Sequence, residues 1–201
     1  KLFVQKKFAD VPILAGVNSQ EGSFQQLFAE SEVNQENFLL ALQQLYPDAY
    51  ERVAALYPGE TPEQLKLAAQ DLMSDRFISE STWNWIEAAS ANGKADTYYY
   101  LYDHVRPAMK SIYNGGEDVE ITDLGAVHSA EIEYFLGNLD VNHIYHWEKE
   151  DHQVSLVAQQ YLINFIKTGN PNNEMLPDWP SFKTNQQLII KLQPLEIELL
   201  M

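Results

Sequence analysis

The sequence predicts an α/β fold, and three features carry that prediction. Residues Val11–Val17 (VPILAGV) form a short, almost unbroken apolar run, the pattern of a strand buried on both faces of a parallel sheet. Thr97–Tyr102 (TYYYLY) is a second brief run, rich in the aromatic residues that suit a packed, pleated surface. Between and after these runs the apolar residues recur at helical spacing instead.

The elements follow in order. Asn18 ends the first run, and a polar loop, Asn18-Ser19-Gln20-Glu21-Gly22-Ser23-Phe24, leaves it. From Asn34 to Asn92 the period is helical: Phe38, Leu39, Leu42, Leu45 and Tyr46 make one stripe, and Leu65, Ala68, Ala69, Leu72 and Met73 another. Pro47 and Pro58-Gly59 divide the stretch into separate helices. Thr61 is a capping residue, Pro62 occupies a first helical position that needs no donor, and Gln64 completes the capping pattern; Asn92-Gly93 is a stop. A polar, glycine-containing segment, Asp103–Gly125, follows the second strand. The last long helix spans Asp151–Lys167, with Val154, Val157, Ala158, Tyr161, Leu162 and Phe165 on one stripe and Gly169 just past its end. Pro171, Pro177 and Pro180 prevent its continuation, and Leu188–Leu192 (LIIKL) reads as a final strand. Residues 34–92 thus form a helical subdomain, and 97–168 a strand, a loop and a helix. Two convincing parallel strands are too few for a complete sheet, so both should present open edges that seek a neighbour, from a longer chain or by self-association.

Composition narrows the function. The 201 residues suit one domain. Thirteen Lys and Arg stand against 29 Asp and Glu, a formal net charge of −16, which repels a phosphate backbone or an anionic membrane surface. Neither nucleic acid nor membrane is therefore an expected partner. The absence of cysteine removes disulfides, thiolate metal sites and cysteine nucleophiles. No apolar run reaches the roughly 18 residues that span a bilayer, and no signal-peptide pattern is present, so a cytoplasmic location is the expectation.

The run Gly16-Val17-Asn18-Ser19-Gln20-Glu21-Gly22-Ser23-Phe24 resembles the acid loop of the type B carboxylesterase and cholinesterase family. Gly125–Gly137 (GAVHSAEIEYFLG) is similar to that family's catalytic histidine loop and the helix after it. Asp71–Phe77 (DLMSDRF) resembles its helix with a structural aspartate, and Phe165–Asn172 (FIKTGNPN) followed by Trp179-Pro180 resembles its C-terminal signature. The four motifs stand in the family's order and cover most of the chain. The resemblance implies the C-terminal portion of an α/β-hydrolase fold, with parallel central strands and a helical insertion. It further implies a serine esterase acting on a small carboxylic ester through an acyl-enzyme, with Glu21 as acid and His128 as base of a Ser-Glu-His triad, and no cofactor or metal. Phe24 and Phe28 match positions that line the substrate gorge, and Glu131 a buried carboxylate that supports the site.

The nucleophile is missing. No serine, Ser23, Ser74, Ser79 and Ser129 included, stands in the G-x-S-x-G pattern, so the serine is expected on an N-terminal part of the same esterase. Ser81 stands where the family usually has proline, and the insertions and disulfides of animal cholinesterases are lacking, which points to a plainer, microbial kind of carboxylesterase.

Blander readings stand beside these. Alone, Glu21 is a solvated loop carboxylate, His128 a structural histidine, Phe24 and Phe28 core residues, and Glu131 a charge favourable to a helix start. His143, His146 and His152 in HIYHWEKEDH suggest a metal, but their spacing matches no zinc signature and a solvated segment is preferred. The rival function is a catalytically inactive adhesion or scaffold member of the same fold family, against which the retention of Glu21 and His128 weighs. An acidic helical interaction domain is disfavoured by the strand at Val11–Val17.

Overall fold

In a computed structural model, which describes residues 2–113, 116, 125–183, 189–192 and 198–200, the two apolar runs lie side by side. They form parallel strands β1 (Ile13–Asn18) and β2 (Thr97–Tyr102), in register from Ile13 opposite Thr97 to Asn18 opposite Tyr102. Strand β3 (Ile189–Leu192) pairs parallel to the other side of β2, and a short β4 (Glu198–Leu200) pairs antiparallel to β3, giving the order β1-β2-β3-β4. β2 is therefore flanked on both sides. Among the described residues, the open edge expected of both apolar strands falls on β1 and not on β2, because Ile189–Leu192 takes up the second edge of β2. Leu188 of that run, and residues 114–115 and 117–124 of the polar segment, lie outside the described residues.

Alternation along β2 explains why its tyrosines and Leu101 serve both faces of the sheet. Tyr98, Tyr100 and Tyr102 join the core on one face of the sheet, and Tyr99 and Leu101 join the core on the other. Seven α-helices appear among the described residues: α1 (Gln25–Phe28), α2 (Gln35–Leu45), α3 (Tyr50–Leu56), α4 (Pro62–Ser74), α5 (Glu80–Asn92), α6 (Ile132–Leu136) and α7 (Lys149–Thr168). Thr61 and Gln64 form the anticipated capping box on α4, and Gly169 ends α7 in the left-handed region at φ 76°. Phe28, Phe38, Leu42, Leu65, Ala69 and Leu72 make a core internal to α1, α2 and α4. Unanticipated is a π-helical turn, Asp75–Ser79, that joins α4 to α5 without a break. No helix among the described residues is long and apolar enough to cross a membrane.

Trp179 anchors the face of the sheet that α7 covers. It is 0% exposed, and its ring meets those of Tyr161, Tyr98 and Tyr100 with centroids 5.2, 6.1 and 6.2 Å away. Asn172 clips its backbone: the Trp179 N–H donates to Asn172 Oδ1 (2.6 Å), and Asn172 Nδ2 donates to the Trp179 carbonyl (2.8 Å). The two ends of the C-terminal signature are thus one packing unit. Trp179→Ala should lower unfolding free energy by about 3–5 kcal/mol, read from the midpoint of chemical denaturation, because the surrounding rings cannot collapse into so large a void.

Candidate functional site

Parallel pairing delivers the loops after β1 and β2 to the same sheet edge. The Ser19 N–H donates to the Tyr102 carbonyl (2.9 Å), and the Gln20 N–H to the Ala126 carbonyl (2.8 Å). The Ala126 N–H returns to Ser19 Oγ (2.8 Å), and Gln20 and Val127 form an isolated parallel bridge. The histidine loop therefore runs beside the acid loop as an extension of the sheet. Glycine makes both approaches possible. A Cβ on Gly22 would stand 2.5 Å from the Met73 carbonyl carbon, where the Gly22 N–H instead donates to Ser74 Oγ (2.9 Å). Gly125 sits at φ +86°, a conformation that favours glycine, and a Cβ there would meet Ser19 Oγ at 2.5 Å.

These loops bring Glu21 and His128, 107 residues apart in sequence, into contact: Glu21 Oε2 is 2.5 Å from His128 Nδ1. The other carboxylate oxygen accepts the Asn18 N–H (2.8 Å), which fixes the side chain from the end of β1. Glu21 is only 7% exposed while the imidazole is 52% exposed, so the acid is built in and the base faces outward. A carboxylate that accepts the Nδ1–H holds the ring in the tautomer whose Nε2 is a proton acceptor.

Of the other residues singled out, Glu131 lies one layer behind this pair. It accepts a hydrogen bond from Asn18 Nδ2 (2.5 Å), and the same amide donates to the Val127 carbonyl (2.8 Å) beside the histidine. Phe24 and Phe28 belong to the helical core: Phe28 is 3% exposed and stacks with Phe38, and Phe24 is half-buried beneath the Lys66 ammonium. The aromatic ring that meets His128 is Phe77, edge-on with centroids 5.1 Å apart. It sits on the π-turn and is 55% exposed. The DLMSDRF motif contains Phe77, but helical periodicity alone could not show which way a residue on a π-turn would project. His143, His146 and His152 do not assemble a donor set: His152 Nε2 is 3.7 Å from Asp140, and no group of three or more His, Cys, Asp or Glu among the described residues could hold a metal ion.

The model of the Carboxylesterase family matches residues 1–197. Cocaine esterase of Homo sapiens is 24% identical over 96% of this chain and 36% of its own length. Pyrethroid hydrolase Ces2e of Rattus norvegicus is 26% identical over 96% of the chain and 35% of its own. Acetylcholinesterase of Electrophorus electricus is 24% identical over 90% of the chain, again 35% of its own. The chain spans about a third of the length of the curated relatives it matches.

Behind the histidine loop lies a buried polar cluster that the sequence did not disclose. His104 Nε2 is 2.6 Å from Asp151 Oδ1, the Tyr134 hydroxyl donates to that oxygen (2.7 Å), and the Glu148 N–H donates to the other (2.7 Å). Burial opposes the Asp151 charge, but the hydrogen bonds from His104, Glu148 and Tyr134 outweigh it and hold the carboxyl below its usual range. A carboxylate lowered in this way adds stability that is fully present above the unfolded value and drains as pH falls through the lower, folded one. Wild-type stability should therefore decline on acidification from about pH 4 downward. Asp151→Asn should lose about 1–3 kcal/mol at neutral pH, because it weakens the buried hydrogen bonds to His104, Tyr134 and the Glu148 N–H, and should show a shallower acid limb. Denaturation midpoints across a pH series read both effects.

Proposed function

The chain belongs to the carboxylesterase family, which has the α/β-hydrolase fold, and on that premise we propose that Glu21 and His128 are the acid and base of a Ser-Glu-His triad in a serine esterase. The observation that carries this reading is the 2.5 Å contact between a buried carboxylate and a half-exposed imidazole at the carboxyl edge of a parallel sheet. The serine would come from a part of the protein outside this chain, with the sheet continuing past the free edge of β1.

In this mechanism His128 Nε2 takes the proton of the serine hydroxyl as its oxygen attacks the ester carbonyl carbon. The imidazolium that forms keeps its Nδ1–H on Glu21, whose negative charge is already oriented by the Asn18 N–H and needs no rearrangement. Collapse of the tetrahedral intermediate expels the alcohol, which receives the proton from Nε2. Water then repeats the sequence and releases the carboxylic acid. Phe77 against the base, with Phe24 near the same loop and Phe28 packed behind it, supports an apolar wall that would favour esters with apolar groups. Glu131 would act through Asn18. No metal or cofactor enters this chemistry. The inactive scaffold reading is disfavoured by the intact carboxylate–imidazole contact, which adhesion does not need.

In the full-length protein, His128→Ala should reduce kcat for an aryl ester on the order of 10⁴- to 10⁶-fold, and Glu21→Gln somewhat less, since tautomer and orientation are lost but the base remains. Undiminished turnover by His128→Ala would end the proposal. The 201-residue chain by itself should neither turn over the ester nor be labelled by a fluorophosphonate, because it offers no activated serine.

A further inference from the structure

The residue after His128 is held in an unusual conformation. Ser129 has φ +65°, in the left-handed region that L-residues other than glycine rarely occupy. This is where the chain turns from the histidine into α6, and its carbonyl receives a long backbone hydrogen bond, 3.4 Å, from the Ile132 N–H. The shorter partner is Arg106, from the segment that follows β2, whose Nη2 donates to the Ser129 carbonyl at 3.0 Å and to Glu133 Oε2 at 2.6 Å.

Arg106 is itself immobilised. Its guanidinium lies over the Tyr145 ring, 5.2 Å from the centroid, and Glu133 is steadied by Asn142 Nδ2 (2.8 Å). The Arg106 and Glu133 side chains are only 13% and 15% exposed, so the pair is not the kind of surface ion pair that solvent weakens to near nothing. On the opposite side of the histidine, Asn18 holds the Val127 carbonyl. Both carbonyls that flank His128 in the chain are therefore gripped by side chains from other elements.

We propose that Arg106 is a positioning residue for the base: by holding the strained Ser129 carbonyl, it keeps the His128 ring aligned on Glu21. The proposal rests on the triad reading above. Arg106 acts through the backbone and needs no contact with the ester. A cavity of about 410 Å³, lined by Arg106, Ser129, Ile132 and Glu133 among others, opens beside the guanidinium, so a small cation could reach the place that Arg106 would vacate.

The test uses the full-length protein. Arg106→Ala should lower kcat for an aryl ester on the order of 10- to 100-fold with KM little changed, and the strongly downfield Nδ1 proton resonance of His128 should broaden or vanish. Added guanidinium chloride should restore part of both. Ser129→Gly in the Arg106→Ala background should do so as well, because glycine adopts the left-handed conformation without a clamp. Arg106→Lys, which keeps the charge but not the fork, should fall between. An Arg106→Ala protein that melts earlier yet keeps kcat and the resonance would reduce Arg106 to scaffold and overturn the proposal, as would a loss of kcat that neither guanidinium nor Ser129→Gly relieves. Should Arg106→Ala fail to fold, Arg106→Lys and the double variant carry the same readouts. A wild-type protein without ester turnover or fluorophosphonate labelling would instead overturn the triad reading; the His128 resonance would still decide whether Arg106 orients the ring.

Discussion

Because β1 and β2 run parallel and in register, with Asn18 opposite Tyr102, their carboxyl ends lie at one edge and the loops that leave them begin within hydrogen-bond reach. Each strand has six residues, so an antiparallel arrangement would put the two exits about 20 Å apart, beyond the reach of any carboxylate–imidazole contact. The crossover that parallel pairing demands is supplied by α1 to α5, so the helical insertion between the two strands is a topological requirement. Everything at the site is downstream of that pairing: the Gln20–Val127 bridge, the Asn18 grip on the histidine loop, and the contact between Glu21 and His128.

Around this edge the chain trades local comfort for position. Ser129 sits in a conformation better suited to glycine, and Gly22 and Gly125 stand where any side chain would collide with neighbours. Strain of this kind persists only where the surroundings over-determine it. Here they do so with polar groups rather than apolar packing: Asn18, Glu131, Arg106 and Glu133 fasten backbone or one another, and the Asp151 cluster ties β2's exit to α6 and α7. Directional bonds suit such a site, because a core of interchangeable apolar contacts tolerates small slides that would part the Glu21 carboxylate from the His128 ring.

The same contrast explains what could be read from the sequence. Strand β2 and the caps of α4 and α7 were legible because each rests on a local rule, an aromatic run, a Thr-Pro-x-Gln start or a terminal glycine. Glu21 and His128 were legible through motifs. Arg106 and the His104–Asp151 pair were not, since nothing local marks which polar residues a fold will bury together. β4, with three residues, is too short for a period to show. Phe24 and Phe28 illustrate another limit: an aromatic beside a functional loop has the same local signature whether it faces a ligand or, as Phe28 does, a neighbouring helix.

The π-turn at Asp75–Ser79 shows how one irregularity serves two cores. Successive residues of an α-helix turn by about 100°, so in an unbroken helix Ile86 would point within about 40° of Leu72 and both would face the same neighbour. Yet Leu72 belongs to the core of α1, α2 and α4, whereas Ile86 packs with Val17, Tyr99 and Phe182 on the sheet. One residue accommodated in a widened turn rotates everything after it by about another 100°, which lets α5 swing its apolar stripe onto the sheet without a loop between the helices. The turn is supported where it widens: Ser79 Oγ donates to the Ser74 carbonyl (3.2 Å), Ser81 Oγ to the Ile78 carbonyl (2.9 Å), and the Tyr57 hydroxyl to Asp75 (2.6 Å). Phe77 stands in the middle of the rotation, committed to neither core, and that leaves its ring free to meet the imidazole. A feature that first solves a packing conflict between two layers thus also sets an aromatic surface against His128.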